Sequence, residues 1–192
     1  MNWIIPGTAV EGLTSDADRI REQFDALFLA GDIVLGQVSH FSGLPDYMIQ
    51  NWVKRGFLAP PKSKRYSKNQ LCRILNINML KGALSMDSIV GLLSYINGRL
   101  DDESDDLIDD AELYFLFVRL AAGIAATMDK QVHEEAITAV LESLPEKYPG
   151  SNARIGQVLA VMLSAWIATN FKNDAEARIA AMKATSAKEE PL

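Results

Sequence analysis

Between Tyr47 and Lys68 the sequence reads YMIQNWVKRGFLAPPKSKRYSK, and its polar residues suit one kind of chemistry. Met48, Ile49, Trp52 and Val53 fall on one side of a helix of period 3.6, which leaves Tyr47, Gln50, Asn51, Lys54 and Arg55 on the other. The major groove of B-DNA admits one helix, and the carboxamides of Gln and Asn can pair bidentately with adenine. Gln50 and Asn51 are therefore of the types that read base edges, and Tyr47 suits a thymine methyl or a phosphate. Lys54 and Arg55, with Lys62, Lys64, Arg65, Tyr66 and Lys68 further on, suit the phosphate backbone, which supplies most of the affinity for duplex DNA. The competing reading is a solvated helix face beside a loop. Met48 and Trp52 share the spacing of Ile49 and Val53, so they are read as core and not as a platform for stacked bases.

The charge balance sharpens this. The whole chain of 192 residues has a formal charge of −6, yet from Gly31 to Gly82 eight Lys and Arg stand against two Asp. That segment carries +6, and the remainder −12. A basic module beside an acidic one fits an anionic partner for one part only. Other chemistry has little support. The single cysteine, Cys72, excludes an intramolecular disulfide and a cysteine metal cluster, and it reads as a small buried thiol. His40 and His133 have no third ligand type near them, so no metal site, cofactor or catalytic triad is implied, and the chain is not read as an enzyme. Six Asp and one Glu crowd the ten residues Asp101–Asp110, without the sixth-position Gly or terminal Glu of a calcium loop. This run reads as a solvated linker, or as an acidic segment that competes with DNA for the basic face.

The elements that must hold these residues are nearly all helical. A helix is predicted over 16–29, capped by Ser15 or Asp16 and ended by Gly31, after a loosely held arm over 1–14. Leu35, Val38 and Phe41 form a short apolar face ended by Gly43, and Pro45 opens a helix over 45–55 that Gly56 closes. Two short helices joined by a turn containing Gly form the helix-turn-helix pattern. Two prolines exclude a helix from APPKSKRYS, which reads as a β-wing over 59–66. Further helices are predicted over 67–80, then after a cap at Ser85 or Asp87 with Met86, Ile89, Leu93 and Ile96 on the buried side, and over 110–128, 131–144 and 153–172, with an Ala-rich tail that can extend the last helix and frays after about 184. The expected fold is all-α with a small β-wing. It divides into an arm and helix (1–30), a winged helix-turn-helix domain (31–98), an acidic linker (99–110) and a C-terminal helical bundle (111–192).

Residues 35–58, LGQVSHFSGLPDYMIQNWVKRGFL, resemble without a gap the MerR family of bacterial winged-helix regulators, whose pattern is I-G-E-V-A-x-x-T-G-V-S-x-x-T-L-R-Y-Y-E-x-x-G-L-L. The matching positions are Leu35, Gly36, Val38, Ser39, Ser42, Gly43, Leu44, Ile49, Gly56, Phe57 and Leu58; Trp52 stands where that family has tyrosine. The run LPDYMIQNWVKRGFLAPPKSKRYS is more similar still to the bacterial domain-of-unknown-function family numbered 1836, whose members read T-x-x-M-I-N-N-Y-V-K followed by P-P-x-x-K-x-Y-S. The resemblance covers about residues 30–98 and implies a DNA-binding transcriptional regulator. Gln50 departs from the phosphate-holding arginine of MerR proteins, the wing is shorter, and the long dimerisation helix is missing at its usual place.

Double-stranded DNA is thus the expected partner. The alternative is a protein-interaction module in which the basic face of the same scaffold docks an acidic protein. Gly156, Ala160, Ser164 and Ala168, at spacing four in the last apolar helix, suit a close helix–helix contact within the core or in a homodimer. Tyr114, Phe115, Phe117 and Trp166 are candidates to line a pocket for a small effector. The longest uncharged run, Ile155–Phe171, is shorter than the roughly 20 residues of a membrane span, and the N-terminus lacks signal-peptide features, so a cytoplasmic protein is expected.

Overall fold

The computed structural model describes residues 3–12, 16–98, 100, 105–124 and 129–189. Among them are eight helices and four two-residue strands: β1 (Trp3–Ile4), β2 (Glu11–Gly12), α1 (Ala17–Leu27), β3 (Ile33–Val34), α2 (Leu35–Ser42), α3 (Asp46–Lys54), β4 (Arg65–Tyr66), α4 (Lys68–Leu80), α5 (Met86–Asn97), α6 (Asp110–Gly123), α7 (Lys130–Leu141) and α8 (Ser151–Glu189). The strands form two antiparallel pairs, β1 with β2 and β3 with β4. The all-α expectation with a small β-wing is met.

Side chains in the sequence start the helices. Asp16 accepts from the backbone N–H of Asp18 and Arg19 at 3.1 and 3.3 Å, and Asp109 accepts from Glu112 at 2.7 Å. At α4 the capping box is complete: Ser67 Oγ accepts from Gln70 N at 3.2 Å, and Gln70 Oε1 accepts from Ser67 N at 3.0 Å.

The fold is organised on α4. Its sequence LCRILNINML is apolar nearly all round, and Leu71, Ile74, Leu75, Ile77 and Leu80 are completely buried. Each such side chain contributes about 1.5–3 kcal/mol by leaving water. The helix packs on α6, α8, α2 and α5, so it is covered on several sides. The helix thus touches elements on both sides of the acidic run, and the buried residues form one cluster from Ile5 to Ile167. Asp110 pairs with Arg73 of α4 at 3.3 Å, which fastens the start of α6 to the segment read as the winged domain. Residues 99 and 101–104 of the expected linker lie outside the described residues.

Three further expectations change. The arm is clasped, not loose: Ile5 is buried, Tyr114 Oη donates to the Pro6 carbonyl at 2.9 Å, and Asn78 Nδ2 donates to Gly7 O at 2.8 Å. Gly7 has φ +75°, and a Cβ there would collide with the Leu75 carbonyl, so the arm crosses α4 where only glycine fits. The aromatic group expected to line a pocket is packed solid. Tyr114, Phe115 and Phe117 are buried, and the rings meet edge to face, Phe24 on Phe115 at 5.5 Å and Phe117 on Trp166 at 6.0 Å. Finally, the Ala-rich tail does extend the last helix, and α8 runs past 184 to Glu189. Its first half buries Ile155, Leu159, Met162 and Leu163 against the body, while residues 170–183 are exposed.

Candidate nucleic-acid interface

The polar residues of the opening stretch sit on α3 and the hairpin beyond it. Ser42 Oγ donates to Val38 O at 2.8 Å and accepts from Leu44 N at 3.2 Å, which turns the chain out of α2. Gly43, at φ 68°, donates to Ser39 O at 2.9 Å and closes the helix in the left-handed conformation. Asn78 also donates to Ser42 O at 2.8 Å, so one side chain of α4 pins both this turn and the N-terminal arm. Pro45 serves as the N-cap of α3. A hydrogen bond from Ser39 Oγ to the Asp46 carboxylate ties the two helices together.

Ile49 and Trp52 fix α3 to the core, and Met48 and Val53 pack at its edge. The opposite face is open. Tyr47 is 69% exposed, and Gln50, Asn51, Lys54 and Arg55 are exposed beside it. The Arg55 guanidinium lies 4.7 Å from the centre of the Phe57 ring, which holds that cation at the C-terminal end of the face.

Beyond α3, Gln70 Nε2 donates to the carbonyls of Ala59 and Pro60 at 2.9 and 3.2 Å, so the diproline segment is held against α4. The chain then reverses at Lys62–Arg65. Arg65 N donates to Lys62 O at 2.9 Å, and Ser63 and Lys64 both have positive φ, 50° and 62°. Two successive left-handed residues closed by that bond define a type I′ turn, a geometry that most often carries Asn-Gly. Here it lifts Lys62 and Lys64 into solvent. The return strand β4 pairs with β3, Ile33 opposite Tyr66 and Val34 opposite Arg65, and Arg65 Nη1 donates to Asp32 O at 2.7 Å.

Not every residue of the expected set faces outward. Tyr66 is 3% exposed and belongs to the core, because strand alternation turns it inward when Arg65 faces out. Burial pushes its phenol pKa up, with the Asp46 carboxylate adding to the effect. Lys68 is partly buried, ion-paired with Asp25 and 5.2 Å from the Phe115 ring centre. Arg73, one of the eight cations of the basic segment, is buried: its Nε donates to Phe57 O at 3.1 Å while Nη1 meets Asp110. The outward charge on α3 and the hairpin therefore rests on Lys54, Arg55, Lys62 and Lys64, for which no ion pair occurs among the described residues, and on Arg65; the remaining cation, Lys81, is exposed at the end of α4. Asp46, in the first turn of α3, is the acid nearest this set in sequence.

The sequence gives no sign of the two anchors, Arg73 and Asn78. Arg73 was visible only as a cation inside an otherwise apolar run, and Asn78 only as a polar residue in one. Cys72 is buried, and desolvation pushes its thiol pKa up, which keeps it protonated and unreactive. Among the described residues no group of three or more His, Cys, Asp or Glu could hold a metal ion, and no helix is long and apolar enough to cross a membrane.

Fold and face together define an all-α protein that presents a short polar helix beside a basic two-stranded hairpin. Residues 32–117 match the family described as Domain of unknown function (DUF1836). No curated protein and no solved structure matches the chain. The matched span runs through α3 and the hairpin and ends within α6, so it takes in the helix that Arg73 and α4 hold.

Proposed function

We propose that the chain is a DNA-binding regulator that lays α3 in the major groove and grips the adjacent backbone with the 62–65 hairpin. The observation that carries this reading is the division of α3. One face is anchored by Ile49 and Trp52, and the other offers Tyr47, Gln50, Asn51, Lys54 and Arg55 to solvent next to Lys62 and Lys64. A solvated face needs no cations without ion-pair partners in a chain that carries −6 overall. The resemblance of residues 35–58 to the MerR pattern supports the same reading. In this account Gln50 and Asn51 meet base edges, Tyr47 and Lys54 flank them, and Arg55, Lys62, Lys64 and Arg65 meet phosphates. Lys68 contributes only by leaving Asp25, and Tyr66 supports the hairpin from inside.

Fluorescence anisotropy of labelled genomic duplex fragments at several salt concentrations tests the proposal. Binding that weakens with salt, and weakens further for Lys62→Ala with Lys64→Ala, is expected. A stoichiometric acidic protein partner and no DNA binding at low salt would replace it with the docking-module alternative.

A further inference from the structure

The projecting half of α8 carries a pattern that the body of the protein does not use. From Val161 onward, Val161, Ser164, Ala168, Phe171, Ala175, Ile179 and Met182 recur at spacings of three and four, which places them in one stripe along the helix. Val161 is 42%, Phe171 50%, Ile179 51% and Met182 69% exposed. The stripe changes character along its length. On the seated half it is narrow-shouldered, and Ala160, Ser164 and Ala168 form one wall of an open apolar groove completed by Ala83 and Leu84. On the projecting half it is bulky, with Phe171, Ile179 and Met182. A helix that carries knobs on one half and a groove on the other is complementary to itself when reversed.

The flanking charges obey the same symmetry. On one side of the stripe Lys172 stands 3.9 Å from Glu176, and on the other Arg178 stands 2.7 Å from Asp174. The first pair is centred on position 174 and the second on 176, each one residue, about 1.5 Å along the axis, from Ala175. A two-fold axis beside Ala175 therefore brings each cation to the partner's anion: Lys172 to the partner's Glu176 and Arg178 to the partner's Asp174. The same operation sets Phe171 against the partner's Ile179 and Met182 against the partner's Ala168 beside the groove. The small Ala175 falls on the axis, where two helices must approach most closely.

We infer that the chain forms a homodimer through antiparallel pairing of two α8 helices about an axis at Ala175. A second copy is the occupant that satisfies both the size pattern and the charge pattern, since each is symmetric about that one position. The paired length from 161 to 189 is about 43 Å, and with a contact strip about 10 Å wide it covers about 400 Å² on each protomer. The total of about 800 Å² is less than the roughly 1,200–2,000 Å² of a standard stable interface, so the dimer is a weak and reversible one. This inference is independent of whether α3 binds DNA.

Sedimentation velocity of the full chain across the micromolar range tests the association, and engineered thiols test its geometry. A concentration-dependent dimer is expected, and the double change Phe171→Glu with Ile179→Glu is expected to abolish it while leaving the circular dichroism of the body intact. Native Cys72 is buried, so introduced thiols report alone. Under mild oxidation Ala175→Cys is expected to cross-link to itself. Met182→Cys is expected not to, yet to cross-link when mixed with Ala168→Cys. A monomer throughout the range, a dimer that survives the double glutamate variant, or self-cross-linking of Met182→Cys as fast as of Ala175→Cys would each overturn the inference.

Discussion

Single residues carry the clearest consequences. Arg73 is buried between the Phe57 carbonyl, just past α3, and the Asp110 carboxylate at the start of α6. Truncating one partner of a buried ion pair leaves the other uncompensated, so Arg73→Ala is expected to cost about 3–5 kcal/mol in urea unfolding. Lys64 holds φ 62° at the hairpin tip, where a Cβ is strained. Lys64→Gly is expected to raise stability by about 0.5–1 kcal/mol even as it removes a solvent-facing charge, whereas Lys64→Ala gains nothing. The buried phenols set the alkaline limit. Tyr66 and Tyr114 both have pKa values raised above 10.0 by burial. Above pH 10 the unfolded chain releases these protons while the folded one retains them. The folded state then binds more protons, so stability falls as pH rises. Thermal unfolding from pH 8 to 11 is expected to show that decline, to which the buried Cys72 thiol adds, and Tyr66→Phe is expected to lessen it. A melting temperature unchanged to pH 11 would contradict the burial of these groups.

At the scale of elements, the helices were legible because each announces itself chemically. Asp16 and Ser67 are cap residues, Gly43 and Gly56 are stops, and the apolar spacing of α3 and α4 is periodic; α1, α3 and α4 accordingly begin and end within two residues of expectation. The exposed face of α3 was legible for the same reason. The N-terminal arm was not, because two-residue strands have no periodicity and the arm is held by backbone carbonyls of Pro6 and Gly7, which no sequence pattern encodes. Nor was the inward turn of Tyr66, which depends on its register opposite Ile33. The extension of α8 past 172 was legible as an option in its Ala-rich composition, and only the run from 184 to Glu189, where charge suggests a fraying end, goes beyond expectation. The arm yields its own test. Gly7→Ala must move the arm off the Leu75 carbonyl or abandon φ +75°, and it is expected to lower unfolding free energy by at least about 1–3 kcal/mol. A loosely held arm would tolerate the change without loss.

For the molecule as a whole, the division of charge explains the arrangement. A body that carries most of the acid repels nucleic acid, and once Arg73 and Lys68 are engaged in internal pairs, five of the basic segment's cations are displayed on one helix and one hairpin. The shared core of α4 and α6 makes that display rigid with respect to α8, which the inferred dimer would use to set the distance between two reading helices. The central claim is that Arg55, Lys62, Lys64 and Arg65 neutralise phosphates, and the salt dependence of duplex binding tests it most directly. Four such contacts predict a plot of log K against log salt with a slope of about −3.6 per protomer, reduced in magnitude by about 1.8 in the Lys62→Ala, Lys64→Ala double variant. Binding that ignores salt, or a slope unmoved by that double change, would contradict the account.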